Sequence, residues 1–210
     1  MKIVYTEDKF WAEHSQFVAR LEAKISRAFK KAKRILETLP DDVTIVLQAN
    51  EYDTIPETGD GGWAKNSRLI LLTIDPGLPF GEEKILQGIS NTVLHELNHA
   101  ARFETGIFHT EFIDMAIFEG IATVFEREYG LIKPLWGEYE PNEVKQWLDE
   151  ITEAGEVNHY EYMFRHSDGR RWIGYKVGTY IVDTVLSEGS VNIKQLTTME
   201  LEKIKSLAGI

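Results

Sequence analysis

The sequence predicts an α+β fold that is rich in helix, with a small mixed β-sheet beside one central helix. Two short β-branched segments, at about 43–47 and 67–74, are bounded by turn residues and predict strands. Segments with apolar residues at spacings of three and four, above all 8–38, 82–103 and 110–129, predict helices. Because no repeat, low-complexity segment or long linker interrupts them, we expect one domain over residues 1–210.

The N-terminal half is predicted to hold the sheet and the central helix, with both complete by about residue 104. Residues 2–5 are expected to form a short strand, and residues 8–38 one long helix that Pro40 ends. Residues 51–66 contain Gly59, Gly61, Gly62 and Pro56, which predict a loop without regular structure. The strand at 67–74 is expected to lie at the edge of the sheet over the central helix, where it can pair with an extended peptide.

The C-terminal half is predicted to be helical. A helix from about 110 to 130, closed by Gly130, is expected to precede a loop at 134–141. A helical lobe is then predicted over 142–210, and its helices are expected at about 142–154, 172–186 and 199–207.

Composition excludes several classes of partner and site. The formal net charge is −11, which disfavours binding to nucleic acids or to anionic membrane surfaces. The chain has no cysteine, so a disulfide or a thiolate zinc site cannot form. Residues 1–8 carry no apolar core of a signal peptide, and no apolar run is long enough to span a bilayer. We therefore expect a cytoplasmic protein without a nucleic-acid or membrane partner.

The central helix carries the sequence His95-Glu96-Leu97-Asn98-His99, an H-E-x-x-H motif. Residues four apart on a helix lie about 40° apart around its axis and roughly 6 Å along it. His95 and His99 therefore present two imidazoles that can share one metal ion, with Glu96 beside them. A carboxylate in that position suits a general base that takes a proton from metal-activated water. The motif predicts a catalytic zinc site.

A catalytic zinc site takes a third protein ligand and leaves one position for water. The metzincin continuation of the motif is excluded, because it requires Gly and His where the chain has Arg102 and Thr105. The remaining candidates are Glu104, His109, Glu111, Asp114 and Glu119. If the next helix packs antiparallel to the central one, its middle, at Glu119, falls level with the two histidines. Glu119 is therefore the predicted third ligand, and Gly120 is expected to allow the two helices to approach closely.

The two segments together resemble those of known enzymes. His-Glu-Leu-Asn-His, followed by the glutamate of Phe118-Glu119-Gly120-Ile121-Ala122, resembles the gluzincin metallopeptidases. Over residues 43–186 the chain most closely resembles a small bacterial family of predicted Zn-dependent proteases, formerly a domain of unknown function. The stretch Gly174-Tyr175-Lys176-Val177-Gly178 matches a segment expected in that family. The resemblance implies a zincin-like fold, Zn²⁺ held by His95, His99 and Glu119, and hydrolysis of peptide or protein substrates.

Further residues are candidates for supporting roles. Glu126 is expected to accept the second N–H of His95, as carboxylates near zinc-bound histidines do, although a solvated Glu126 fits the sequence equally well. Tyr175 is the candidate donor to the developing oxyanion, with Tyr180, His159 and His166 as competitors. Surface ion pairs are expected for Arg102, Arg170 and Arg171. Two rival functions remain, an amidase or deacylase on the same core and a zinc-binding regulatory or chaperone-like module without hydrolytic activity.

Overall fold

A computed structural model describes residues 1–6 and 9–210 of the chain and confirms the predicted fold class. It is an α+β structure, rich in helix, with a small mixed sheet of four strands. The chain forms two compact units, one of residues 1–106 with 129–132 and one of residues 107–128 with 133–210. The expectation of one domain over residues 1–210 stays a prediction. No helix among the described residues has both the length and the apolar character needed to cross a bilayer.

The sheet belongs to the first unit, and its strand order is β1-β2-β4-β3. β1, β2 and β4 run parallel to one another, whereas β3 runs antiparallel to β4. The strands are β1 (Lys2–Tyr5), β2 (Thr44–Ala49), β3 (Asp60–Asn66) and β4 (Leu69–Ile74). The predicted strands at 2–5, 43–47 and 67–74 are therefore present, with small shifts at their ends.

β3 corrects two predictions. Residues 51–66 are not all loop, because Asp60–Asn66 pairs with β4 in spite of its glycines. The pairing also places β4 in the interior of the sheet, so the predicted edge strand at 67–74 is wrong and β3 is the edge. Glycine weakens a strand but is retained where another backbone or side chain approaches closely. A Cβ on Gly61 would lie 2.6 Å from the carbonyl oxygen of Asp53.

The predicted helix at 8–38 is two helices, α1 (Lys9–Glu13) and α2 (Ser15–Ile35), and its expected start at Asp8 lies outside the described residues. His14 leaves helical geometry, with φ −115° and ψ 40°, and its imidazole turns back onto the carbonyl of Phe10. α2 ends before Leu36, which takes an extended conformation and is buried. Pro40 then keeps the chain from re-entering a helix.

The central helix of the first unit is α3 (Glu82–Phe103), as predicted, and it packs against α2 and β3. α2 presents an apolar face of Phe17, Leu21, Ile25 and Phe29, all buried. Of α3, every residue from Asn91 to Arg102 is buried. α3 is therefore a core helix, and polar side chains on it are held in a low-dielectric interior.

The second unit consists mainly of helices. After α4 (Phe112–Tyr129), a short 3₁₀ turn occupies Leu135–Gly137 within the predicted loop. The remaining helices are α5 (Pro141–Ala154), α6 (His159–Met163), α7 (Ile173–Ser187), α8 (Ile193–Thr197) and α9 (Leu201–Ala208). α4, α5, α7 and α9 agree with the predicted helices to within a few residues, while the short α6 and α8 were not predicted.

α4 and α7 cross with their backbones in contact at Gly120 and Gly178. A Cβ on Gly120 would collide with the backbone of Gly178, and one on Gly178 would collide with the carbonyl group of Ala116. Glycine at both positions lets the helices approach without side chains between them. Gly120 thus contacts α7 in this crossing, and this contact was not predicted from the sequence.

Candidate metal centre

The two motif histidines lie on consecutive turns of α3, as the spacing predicted. Their rings are 4.7 Å apart between centroids and nearly perpendicular, and both side chains are almost fully buried, at 6% and 5% exposure. Burial of two polar rings costs free energy unless they gain partners in the folded protein. The pair is therefore placed as two ligands of one ion would be.

One ligand atom each from His95, His99 and Glu119 lies within 4.8 Å of the other two, and the three residues could hold a metal ion. Two imidazoles and one carboxylate are a donor set that suits zinc, and three protein ligands leave a position for water. A structural zinc site, by contrast, takes all four ligands from the protein.

Glu96 lies beside the histidines on α3 and faces the edge strand. Its Oε2 atom accepts a hydrogen bond from the backbone N–H of Ala64 on β3, at 2.6 Å. A Cβ on Gly62 would lie 2.6 Å from Glu96 Cγ, so the strand has room for the carboxylate only because residue 62 has no side chain. The sequence drew attention to the Gly61-Gly62 pair, but the contacts of Gly62 and Ala64 with Glu96 were not predicted.

Asp114, a competitor for the third ligand position, has another partner. Its carboxylate is buried and lies 2.6 Å from the ammonium group of Lys205 on α9. Burial raises the pKa of Asp114, but the hydrogen bond and the charge of Lys205 more than offset this, and the pKa is lowered overall. Asp114 therefore serves as an anchor between α4 and α9.

The other competing ligands also have separate surroundings. The Glu104 carboxylate pairs with the guanidinium of Arg68, at 2.8 Å. His109 is exposed, with its ring against Phe118, and Glu111 is exposed near Lys205.

Glu126 is almost completely buried on α4. Its Oε2 atom accepts a hydrogen bond from the indole N–H of Trp136, at 3.2 Å. The alternative of a solvated surface glutamate is therefore wrong. Acceptance of the His95 N–H by Glu126 stays a prediction.

Tyr175 lies in the first turn of α7, half-buried, with its ring against Phe164 and Trp172. Its competitors lie elsewhere in the second unit. Tyr180 packs against Tyr139, the exposed His159 packs against Phe112, and His166 pairs with Asp168. The role of oxyanion donor stays a prediction for Tyr175.

The three arginines divide between surface and interior. Arg170 forms the predicted surface ion pairs, with Glu150 and Asp168. The guanidinium of Arg171 lies over the ring of Trp172, at 4.7 Å. Arg102 contradicts the prediction, because its side chain is fully buried, at 0% exposure, in the last turns of α3. Its position follows from the burial of the whole C-terminal half of this helix, which the sequence pattern did not indicate.

Comparison with known proteins adds the family. A family model described as predicted Zn-dependent protease matches residues 21–206. No curated protein and no solved structure gives a significant match to the chain. The match covers both the H-E-x-x-H helix and the glutamate of α4, and it confirms the resemblance to the family of predicted Zn-dependent proteases. The chain belongs to the family of predicted Zn-dependent proteases (DUF2268).

Proposed function

We propose that the protein is a zinc-dependent peptidase of the gluzincin type, with a zincin-like fold, in which His95, His99 and Glu119 hold Zn²⁺ and Glu96 is the general base. The observation that carries the proposal is the grouping of the three ligand atoms within 4.8 Å, with a carboxylate directly following the first of them in sequence. A purely structural zinc would have no use for that carboxylate, whereas hydrolysis requires a base.

In this proposal each residue has one task. The bound ion supplies Lewis acidity and lowers the pKa of its water towards 7. Glu96 takes a proton from the attacking water and then passes it to the leaving amine, so no covalent intermediate with the protein is needed. Glu126 holds the orientation of His95, and Tyr175 donates a hydrogen bond to the oxygen of the scissile carbonyl.

The substrate in this proposal is an extended peptide or protein segment. The edge strand β3 lies against Glu96, and an extended peptide can add to such an edge through backbone hydrogen bonds. Trp63 on this strand is 62% exposed and offers an apolar surface to a substrate side chain. The acidic net charge fits a non-nucleic-acid substrate, and the lack of cysteine fits a cytoplasmic location.

The test compares Glu96→Gln with the parent protein. The amide is nearly isosteric but cannot take up a proton, so we expect about one zinc per chain to be retained and turnover of a peptide library to be lost. Glu83→Gln, an exposed position on the same helix, is the matched control and should keep both. A parent that binds no zinc, or a Glu96→Gln protein with most of its activity, would contradict the proposal. Turnover of acyl-amides but of no peptide would favour the amidase alternative.

A further inference from the structure

The edge strand β3 makes a direct backbone contact with the carboxylate of Glu96. The N–H of Ala64 donates to Oε2 at 2.6 Å, and both residues are buried. Hydrogen bonds from an N–H to a charged carboxylate are shorter and stronger than neutral ones. This N–H points away from β4, so it belongs to the open edge of the sheet and not to the ladder. The contact therefore fixes one oxygen of Glu96.

Gly62 limits the position of the same side chain from a second direction. A Cβ at this residue would lie 2.6 Å from Glu96 Cγ, 2.8 Å from Oε1 and 2.7 Å from Thr92 Cγ2. Carbon atoms in ordinary van der Waals contact are about 3.5–4.0 Å apart. The strand backbone thus lies against the methylene groups and the second oxygen of Glu96 without a side chain between them.

A third contact fixes β3 itself on α3. The hydroxyl of Thr92, one helical turn before Glu96, donates to Asp60 Oδ2 at 2.6 Å. A Cβ on Gly88, one turn earlier still, would lie 2.9 Å from Asp60 Oδ1. Because strand and helix are joined at Asp60 and Thr92, the N–H of Ala64 has a defined position relative to Glu96.

We propose that Gly62 and the backbone N–H of Ala64 are positioning elements for Glu96. They hold the carboxylate in one rotamer, through the hydrogen bond at Oε2 and the close approach of the strand backbone. The inference rests on the proposed function, in which Glu96 is the base. It gives β3 a role in proton transfer, beyond any part in substrate binding.

The first test compares two Gly→Ala variants of the same strand. Gly62→Ala places its methyl group against Glu96, and a displacement of about 1 Å should lower kcat by about 10²-fold, with KM and zinc content unchanged. Gly61→Ala is the matched control, because its methyl group would meet the Asp53 carbonyl oxygen at the same 2.6 Å, away from Glu96. It should keep kcat near that of the parent. An unchanged kcat in Gly62→Ala, or an equal loss in both variants, would overturn the inference.

The second test removes only the hydrogen bond and does not depend on how the strand tolerates a methyl group. Replacing Ala64 by lactic acid during translation puts an ester oxygen where the N–H was. We expect a fall in kcat with KM and zinc content unchanged. The control is the same backbone substitution at Gly61, made with glycolic acid, because its N–H lies on the β4 side of the strand; it should leave kcat near the parent value. A kcat at 64 that equals the parent value would contradict the positioning role.

A third measurement needs no turnover. In the zinc-free protein, the amide proton of Ala64 should resonate downfield and exchange slowly with solvent, and Glu96→Ala should remove both properties. An amide proton that is unaffected by Glu96→Ala would overturn the inference. Absence of turnover in the parent would instead contradict the proposed function, so the two failures are distinguishable.

Discussion

At the scale of single residues, the two acidic residues Glu119 and Asp114 of α4 have different surroundings. Glu119 lies with the two histidines, whereas Asp114, five residues earlier on the same helix, is bound to Lys205. The two acidic residues thus have different tasks, one at the candidate metal centre and one in an ion pair. This difference makes substitution of each one informative.

We expect Glu119→Ala to lose zinc affinity by more than about 100-fold, because loss of a ligand costs more than the 10–100-fold typical of a residue that only orients a ligand. Competition with a chelating dye measures the affinity directly. Asp114→Ala and His109→Ala should bind zinc as the parent does. The gluzincin assignment is wrong if Glu119→Ala keeps its affinity while either of the other two variants loses it.

Asp114→Ala has its own expected effect. The substitution leaves the ammonium group of Lys205, which is 17% exposed, without its buried partner, so the free energy of unfolding should fall by about 2 kcal/mol. Urea denaturation of the zinc-free protein measures this. Asp114→Ala with Lys205→Met should recover part of the loss; no difference between Asp114→Ala and the parent would refute the anchoring role.

Tyr175→Phe tests the proposal that Tyr175 is the oxyanion donor. Loss of one such donor should lower kcat by about 10²-fold with little change in KM, because the hydrogen bond strengthens only in the transition state. Steady-state kinetics on a peptide substrate distinguish the two constants, and Tyr180→Phe is the control. A change in KM alone would mean that the phenol only binds substrate.

The residues of the H-E-x-x-H helix could be predicted because their geometry is local. Four residues along a helix place His95 and His99 on one face whatever the rest of the chain does. The positions of Gly62 and Ala64 beside Glu96 could not be predicted, because they depend on the packing of a strand that is more than 30 residues away in sequence. Burial of Arg102 likewise comes from the packing of the whole helix.

At the scale of elements, β3 shows where local reasoning fails. Its glycines weaken a strand by themselves, but pairing with β4 and contact with α3 select an extended conformation. The interruption of the N-terminal helix at His14 could not be predicted either, because the periodic apolar pattern continues through this residue. There the imidazole contacts the carbonyl of Phe10, one turn earlier.

The crossing of α4 and α7 gives a prediction for an element. Gly178→Ala would press a methyl group against the backbone of α4 at Ala116, so the helices must separate and the unfolding free energy should fall by roughly 1–3 kcal/mol. Thermal and urea denaturation measure the loss. Lys176→Ala, on the same helix, should cost much less, and equal losses in the two variants would contradict the close crossing.

At the scale of the whole molecule, the mixture of strands and helices could be predicted because each long segment has a clear period. The order of the strands could not be predicted, because the N-terminal β1 pairs with β2 across more than 35 residues of intervening chain. Likewise, the ion pairs that join elements, such as Arg170 with Glu150, are not visible in the local pattern. These pairs affect how the folded protein responds to acid.

The last prediction concerns that response. The guanidinium of Arg170 and the hydroxyl of Tyr162 hydrogen-bond Glu150 and lower its pKa to about 2. The backbone N–H of Arg170 is the main cause that lowers the pKa of Asp168 to about 2 as well. A carboxyl group whose pKa is depressed in the folded state contributes stability above its ordinary pKa and loses it as the pH falls through the folded value. The contribution of Glu150 should therefore be complete above about pH 4.5 and disappear towards pH 2.

We expect the melting temperature of the zinc-free protein to fall steeply between about pH 4.5 and pH 2. Glu150→Gln should lower stability at pH 7 and flatten the dependence, because the amide does not titrate; Glu153→Gln, exposed on the same helix, should leave the curve unchanged. A Glu150→Gln curve parallel to that of the parent would show that this carboxylate does not govern the acid response.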